Sequence, residues 1–216
     1  GMHRVYYHES PDAFYFAAEA KAILAAVPNL RTLDAQSVGE FISCGAVLES
    51  RTMFRDIFAL PPASAWVFQN GRLKRKASYF DPAQWQEQEP LDPVSFYREL
   101  RDVFARNVPR YFEGMETVAM SLTGGLDTRM LMAWQKMEPG TMPCYTFGGM
   151  HRDCQDVIVA RKVARACGQT HEVIPVSQDF LSNFSQYAER AVYLADGSVD
   201  VSRAPDLYLN ERARQV

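Results

Sequence analysis

Residues 118–130 read VAMSLTGGLDTRM. An apolar run stops at Thr123-Gly124-Gly125, and Asp127 and Thr128 follow before apolar residues resume. A strand that ends in two glycines and feeds a helix builds an anion site. The helix start offers unpaired N–H groups and a partial positive charge, and glycine lets an anion approach the backbone closely. Thr123 and Thr128 flank the turn with hydroxyls able to donate to phosphate oxygens. Asp127 is the discriminating residue. A carboxylate beside a phosphate repels it unless a divalent cation lies between them, and Mg²⁺ takes one or two carboxylates plus substrate phosphates. The turn therefore reads as a pyrophosphate site with Mg²⁺. No GxxxxGK[ST] and no GxGxxG occurs in the chain, which excludes the Walker A loop and the dinucleotide fingerprint. The plain alternative is a tight strand–helix turn with incidental polar residues.

The elements around this turn alternate between strand and helix. TVAMSL is a short apolar run of the kind a strand buried on both faces shows. Residues 127–136 read as helix, PCYTF as a strand, and DVIVARKVARACG as a helix ending at Gly168. HEVIPV is a third strand. DFLSNFSQYAERAVYLADG reads as one helix with Leu181, Phe184, Tyr187, Ala188 and Val192 inward. Ahead of the turn, VSFYRELRDVFARNV places Phe96, Leu100, Val103, Phe104 and Val108 on one helical face. Such alternation predicts parallel strands joined by crossover helices. The first third of the chain differs. RVYYHESPDAFYFAAE and AWVFQNGRLKRKASYF read as two hairpins, the second with a type I′ turn at Asn70-Gly71. Between them AEAKAILAAV has strong helix formers, and DAQSVGEFISCGAVL has a helical face of Val38, Phe41, Ile42 and then Val47. Residues 81–95, with three prolines and no apolar periodicity, read as a linker.

Bulk properties narrow the field. The 216 residues suffice for one large or two small domains, and a hydrophobic content of 47% supports a packed core. A net charge of -3 and a pI near 5.8 give no reason to expect nucleic acid or an anionic membrane surface as partner. No apolar run reaches the roughly 18 residues of a spanning helix, and the N-terminus has no secretory h-region. Gly1 ahead of Met2 reads as a cloning scar. Cys44, Cys144, Cys154 and Cys167 form no CxxC pair and have no histidine at ligand spacing, which argues against zinc. They read as free, mostly buried thiols in a reducing cytosol. Asp156 reads as a helix N-cap and His171 as a buried, hydrogen-bonded histidine. Glu19 and Lys21 read as solvated or paired surface groups, and the run RLKRK at 72–76 as a solvated strand edge. Arg152 and Asp153 fall in a loop after FGG, and the sequence leaves their role open.

SLTGGLDTR resembles the pyrophosphate-binding loop of N-type ATP pyrophosphatases, usually SGGxDS, with threonine for each serine and Arg129 for a further serine. In asparagine synthetases the loop is followed by a strand, a glycine and a helix of the form D-x3-A-x2-V-A-x3-G-x2-H. Asp156, Ala160, Val163, Ala164, Gly168 and His171 stand in that register. Upstream, YYHESPDAFYFAAEAKAIL and FRDIFALPPASAWVFQNGRLKRKASYF resemble the later part of the family's glutaminase domain. The chain is thus identified, nearly end to end, as a relative of the glutamine-hydrolysing asparagine synthetases.

The resemblance implies an α/β chain. Residues 2–81 would be the C-terminal part of an antiparallel-β-rich amidotransferase domain of the N-terminal-nucleophile type. Residues 94–216 would be the first part of a parallel-sheet ATP pyrophosphatase domain. It implies adenylation of the aspartate side chain by Mg-ATP, release of pyrophosphate, and attack of ammonia to give asparagine and AMP. Thr123, Gly124, Gly125, Leu126 and Thr128 would border or cradle the phosphates, and Asp127 would meet Mg²⁺ through pyrophosphate. Leu122, Phe147 and Gly148 would border the adenosine. No catalytic residue is assigned. The cysteine nucleophile and glutamine-binding segments would precede Met2, and a further loop of G-D-G-x-D-E type would follow residue 216, so glutaminase activity is not expected of this chain. A fragment and a shortened relative both fit. β-Lactam synthetases and peptide cyclases use the same loop, and a non-catalytic subunit needing a partner chain is a further alternative. Small-molecule substrates, no nucleic acid, no membrane, a possible homo-oligomer and a cytoplasmic location complete the expectation.

Overall fold

The computed structural model describes residues 4–114 and 118–215. Gly1, Met2 and Thr117, the first residue of TVAMSL, lie outside the described residues. The chain forms two compact units: the residues up to Gln88 together with Ala188–Arg203, and Glu89–Tyr187 together with the chain from Ala204 onward.

The first unit is built on antiparallel pairing. Strands β1 (Tyr6–Glu9) and β2 (Phe14–Ala17) form the expected hairpin, with Ser10 closing the turn through its N–H to the Ala13 carbonyl at 2.9 Å. Helix α1 (Ala20–Ala26) buries Ala20, Ile23 and Leu24, the i, i+3, i+4 stripe that packs with Tyr6, Leu30 and Ile57 into one core. No side chain of its own segment caps α1. Instead Asp196, 176 residues later, accepts from Ala20 N at 2.8 Å and Lys21 N at 3.2 Å. Helix α2 (Ala35–Cys44) is capped by Asp34, whose Oδ2 accepts from Ser37 N at 2.9 Å, and it stops at Gly45 with φ +73°. That stop corrects the expected face. Val47 lies past the helix, Ile42 is 78% exposed, and the fully buried residue is Ser37. Strand β3 (Phe58–Ala59) pairs with β1, and β4 (Ser64–Gln69) with β5 (Arg72–Ser78). Asn70 at φ +51° and Gly71 at φ +73° make the turn between β4 and β5, as expected of Asn-Gly. The basic arm is not wholly solvated: Lys76 Nζ sits 4.0 Å from the Trp66 ring centroid.

Helix α3 (Ala83–Gln86) is one turn inside the expected linker, and α4 (Pro93–Asn107) follows, capped by Asp92. In the second unit β6 (Met120–Ser121), β7 (Cys144–Gly148) and β8 (His171–Pro175) form a parallel sheet in the order β6-β7-β8. Helix α5 (Leu126–Trp134) connects β6 to β7, and α6 (Gln155–Ala166) connects β7 to β8. The chain is therefore mixed α/β, with antiparallel sheets first and a parallel sheet after. Strand β6 is two residues long at the sheet edge, with Met120 buried and Ser121 exposed, and not the strand buried on both faces that was expected. Helix α6 presents Val157, Ala160 and Ala164 to the sheet, and the alanines let it approach closely.

Two further helical expectations are corrected. The α4 stripe is largely open: Phe96 is 57% exposed, Leu100 46% and Val103 43%. Only its end is packed, with Phe104 set edge-on against Trp134 at 5.4 Å and Val108 buried. The segment 179–197 is two helices, α7 (Gln178–Ser182) and α8 (Phe184–Leu194). Asn183 breaks it by bonding its side-chain amide back to the Asp179 carbonyl at 2.9 Å. Across the two helices the buried residues are Phe180, Ala188 and Ala191, while Leu181, Phe184 and Val192 are exposed. Helix α9 (Ala204–Ala213) supplies Tyr208, whose ring lies 5.3 Å from Phe180. Of the cysteines only Cys144 is fully buried. Cys44, at the end of α2, and Cys154 are exposed, and not buried as expected of most of the thiols. Among the described residues no helix is long and apolar enough to cross a membrane.

Candidate functional site

The carboxyl ends of parallel strands are where ligands meet an α/β sheet. At that edge lie the loop from β6 into α5 and the loop from β7 into α6. Leu122 anchors the first loop. Its side chain is fully buried, its N–H donates to the Tyr145 carbonyl at 2.8 Å, and its carbonyl accepts from the Thr146 hydroxyl. The backbone entering the loop is thus held on both polar groups by β7.

The loop then satisfies itself. Thr123 N donates to Thr128 Oγ1 at 3.3 Å, and Gly125 N donates to Thr123 Oγ1 at 3.0 Å. Gly125 is the N-cap of α5, with φ -63° and ψ 153° and no side chain to cap with. The first-turn N–H groups of α5 at Leu126, Asp127 and Thr128 therefore face outward from the helix start, the arrangement that binds phosphate. Leu126 is 70% exposed, and Asp127 is exposed in the first turn with no ion pair or hydrogen bond among the described residues. Arg129 turns back, its Nε donating to the Gly125 carbonyl at 3.2 Å, and so fastens the helix start.

Asp156 departs from its expected role. The N-cap of α6 is Cys154, and Asp156 is two residues further on, in the first turn. Its Oδ1 accepts from Gly124 N at 3.0 Å, across 32 residues of chain. The reason for glycine at 124 follows from this contact. A Cβ there would lie 2.7 Å from Asp156 Oδ1 and 3.4 Å from Asp156 Cα. Gly124 gives close room to α6 as well as to any anion.

The second loop carries Phe147, 46% exposed, and Gly148, which is buried. A Cβ on Gly148 would meet methyls of Val157 and Val173 at 3.1 Å each, so this glycine lets α6 and β8 close together. Asp153 pairs with Arg161 at 2.7 Å on the exposed surface of this loop and helix.

Beneath the loops runs a short polar chain: His171 is hydrogen-bonded as expected, though half-buried, and sequence reasoning missed its partner Thr146. Thr146 gives its one proton to the Leu122 carbonyl, so it accepts from His171, Nε2 to Oγ1 at 2.8 Å. That assigns the proton to Nε2 and leaves Nδ1 an acceptor, buried and without a hydrogen-bond partner among the described residues. Burial chiefly, and then the charge of Arg161, hold the His171 pKa below its ordinary value, against the opposing pull of Asp153. The detectable signal was a threonine at an inward position of a buried strand, a polar group that demands partners.

Among the described residues no group of three or more His, Cys, Asp or Glu side chains surrounds a common point. A hard cation at this edge would rest on Asp127 together with oxygens a phosphate ligand brings, which is how Mg²⁺ is commonly held. The residues present fit that group: an exposed, unpaired carboxylate stands in the same helical turn as the outward N–H groups.

Comparison with known proteins agrees with this geometry. Residues 99–216, more than half of the chain, match the family described as asparagine synthase, and residues 1–80 match a family described as a glutamine amidotransferase domain. The chain is also similar to asparagine synthetase (glutamine-hydrolysing) 1 of Bacillus subtilis (strain 168), 23% identical over 172 residues. That match covers 78% of this chain and 26% of the relative, so the chain spans about a quarter of the length of the curated protein it matches.

Proposed function

The chain belongs to the asparagine synthase family, and from that premise we propose that its second unit binds Mg-ATP at residues 122–128 and serves ATP-dependent amidation of aspartate to asparagine. The observation that carries the reading is the start of α5: a glycine N-cap, outward N–H groups and the unpaired carboxylate of Asp127 in one turn. In this reading the chain is a carbon–nitrogen ligase of the adenine nucleotide alpha-hydrolase-like fold. Residues 2–81 are an amidotransferase-like region and 94–216 the synthase region. The location is cytoplasmic. The nitrogen comes as ammonia, or from glutamine through a partner.

A carboxylate is a poor electrophile until its oxygen joins a good leaving group, and transfer of the adenylyl group from ATP to that oxygen, with loss of pyrophosphate, makes AMP that leaving group. The cation, when bound, lowers the cost of the charge that develops on the leaving pyrophosphate. The protein's part is positional. Gly125 leaves the helix end open, the N–H groups of Leu126, Asp127 and Thr128 meet phosphate oxygens, and the Thr123 and Thr128 hydroxyls reorient from the loop towards them. Asp127 would hold the cation. Phe147 offers an exposed ring to the adenine, while Gly148 and the buried Leu122 shape the wall behind it.

Aspartate-dependent exchange between ATP and labelled pyrophosphate tests the adenylation. Exchange that needs aspartate supports the reading. Exchange with a different carboxylate would transfer the same loop to another amide-forming reaction, of the β-lactam synthetase or peptide cyclase type. An absence of exchange with retained Mg-ATP binding would leave a nucleotide-binding subunit that requires a partner chain.

A further inference from the structure

We propose that Asp156 is a positioning residue for the 122–128 loop: its carboxylate clamps Gly124 N–H and so holds the loop open for phosphate from a neighbouring helix. The inference rests on the nucleotide reading above for its purpose, and on geometry alone for the clamp itself.

The first observation is the bond, Gly124 N to Asp156 Oδ1 at 3.0 Å. The second is that the chain makes room for it. Gly124 is not in the left-handed region, so its backbone does not require glycine, yet a Cβ would stand 2.7 Å from that same oxygen. Space reserved for Asp156 is therefore the local reason for glycine. The third is that Asp156 is not spent on its own helix, since Cys154 is the N-cap and no side chain caps α6. The last is an accounting of loop donors. Thr123 N and Gly125 N are satisfied by hydroxyls within the loop, and Gly124 N, between them, has no acceptor within the loop and takes Asp156. An unsatisfied N–H there would let the peptide turn to find water or a carbonyl, and the Gly-Gly pair offers little resistance to that turn. Position at the start of α6 makes the carboxylate itself comfortable. Its other oxygen takes no hydrogen bond among the described residues, so an acceptor of the same shape without charge can replace it.

The test is amide hydrogen exchange at Gly124 together with Mg-ATP titration, on the wild-type chain and on Asp156→Asn, Asp156→Ala and Asp127→Ala. The clamp predicts a protected Gly124 amide in the wild type, in Asp156→Asn and in Asp127→Ala. In Asp156→Ala the amide should exchange about tenfold faster, the worth of one such hydrogen bond. Mg-ATP affinity should fall about tenfold in Asp156→Ala and recover in Asp156→Asn, a rescue that general destabilisation does not produce. Equal exchange in Asp156→Ala and the wild type would overturn the clamp. So would equal losses of affinity in the Asn and Ala variants. A wild type with the predicted exchange pattern and no Mg-ATP binding would support the clamp and overturn the nucleotide reading instead.

Discussion

Asp127 and Asp156 occupy the same place in two successive strand–loop–helix units. Each is the second residue after the N-cap, Gly125 in one case and Cys154 in the other. The helix start stabilises both carboxylates alike, yet their surroundings divide them. Asp127 makes no bond among the described residues and faces solvent, while Asp156 reaches across to Gly124 N. In the proposed reading one acid is left free for a cation and the other holds the backbone. The difference lies in the preceding loop. The first has glycines at both 124 and 125, which let the second helix close in. The second has Gly148 buried under Val157 and Val173, and leaves Asp156 pointing back to the first loop.

The largest expected effect comes from closing the space between the first loop and α6. Gly124→Ala should cost about 1–3 kcal/mol of stability through overpacking, and should abolish Mg-ATP binding. Thermal unfolding and calorimetric titration check both. Should Gly124→Ala prove stable and binding-competent, the close contact with Asp156 would have no structural weight. Asp127→Ala is the counterpart. It should lose Mg-ATP binding while stability stays within about 0.5 kcal/mol, as for an exposed group without partners. A substantial fall in stability would show Asp127 to be structural as well and would dissolve the contrast.

Smaller effects probe the support shared by both loops. Thr146→Val removes the hydroxyl between the Leu122 carbonyl and His171, and leaves two buried groups without partners. A loss of about 1–3 kcal/mol is expected, read from urea unfolding, with weaker Mg-ATP binding because the loop's anchor loosens. The smallest effect is on pH. His171 has a folded pKa below its unfolded value, chiefly through burial, so the unfolded chain binds its proton more readily. Its contribution is full above the unfolded pKa of about 6.5 and is lost as pH falls through that value towards the folded one. His171→Gln should flatten that part of the stability profile. Unfolding midpoints of the two chains, measured from neutral to mildly acidic pH, check it. An unchanged slope would exclude His171 as the cause.

Much of the architecture was legible in local chemistry. Asn70-Gly71 makes its turn because both residues reach positive φ, and Gly168 follows α6 for the same reason. The parallel order of three strands followed from alternation of element types. The candidate loop was legible because strand, glycines and acid are contiguous. Burial was less so. The stripe of α4 has the right period, but periodicity says only which residues share a face and not whether anything covers it. Phe184 and Val192 were misplaced because a side-chain bond of Asn183 broke the helix and reset its phase, and Leu181, ahead of the break, because Phe180 takes the buried face of α7.

The sequence by itself determined the Asn70-Gly71 turn, the stop after α6 at Gly168 and the contiguous run of glycines and acid between β6 and α5, because each depends on the conformational range or donor set of neighbouring residues. Only the tertiary structure decided what depends on distant partners. Asp196 caps α1 across 176 residues, Thr146 joins Leu122 to His171, and Asp156 holds Gly124. A hydrogen bond between residues far apart in sequence leaves no periodic trace, since its geometry is set by how strands and helices pack and not by the spacing of the residues that make it.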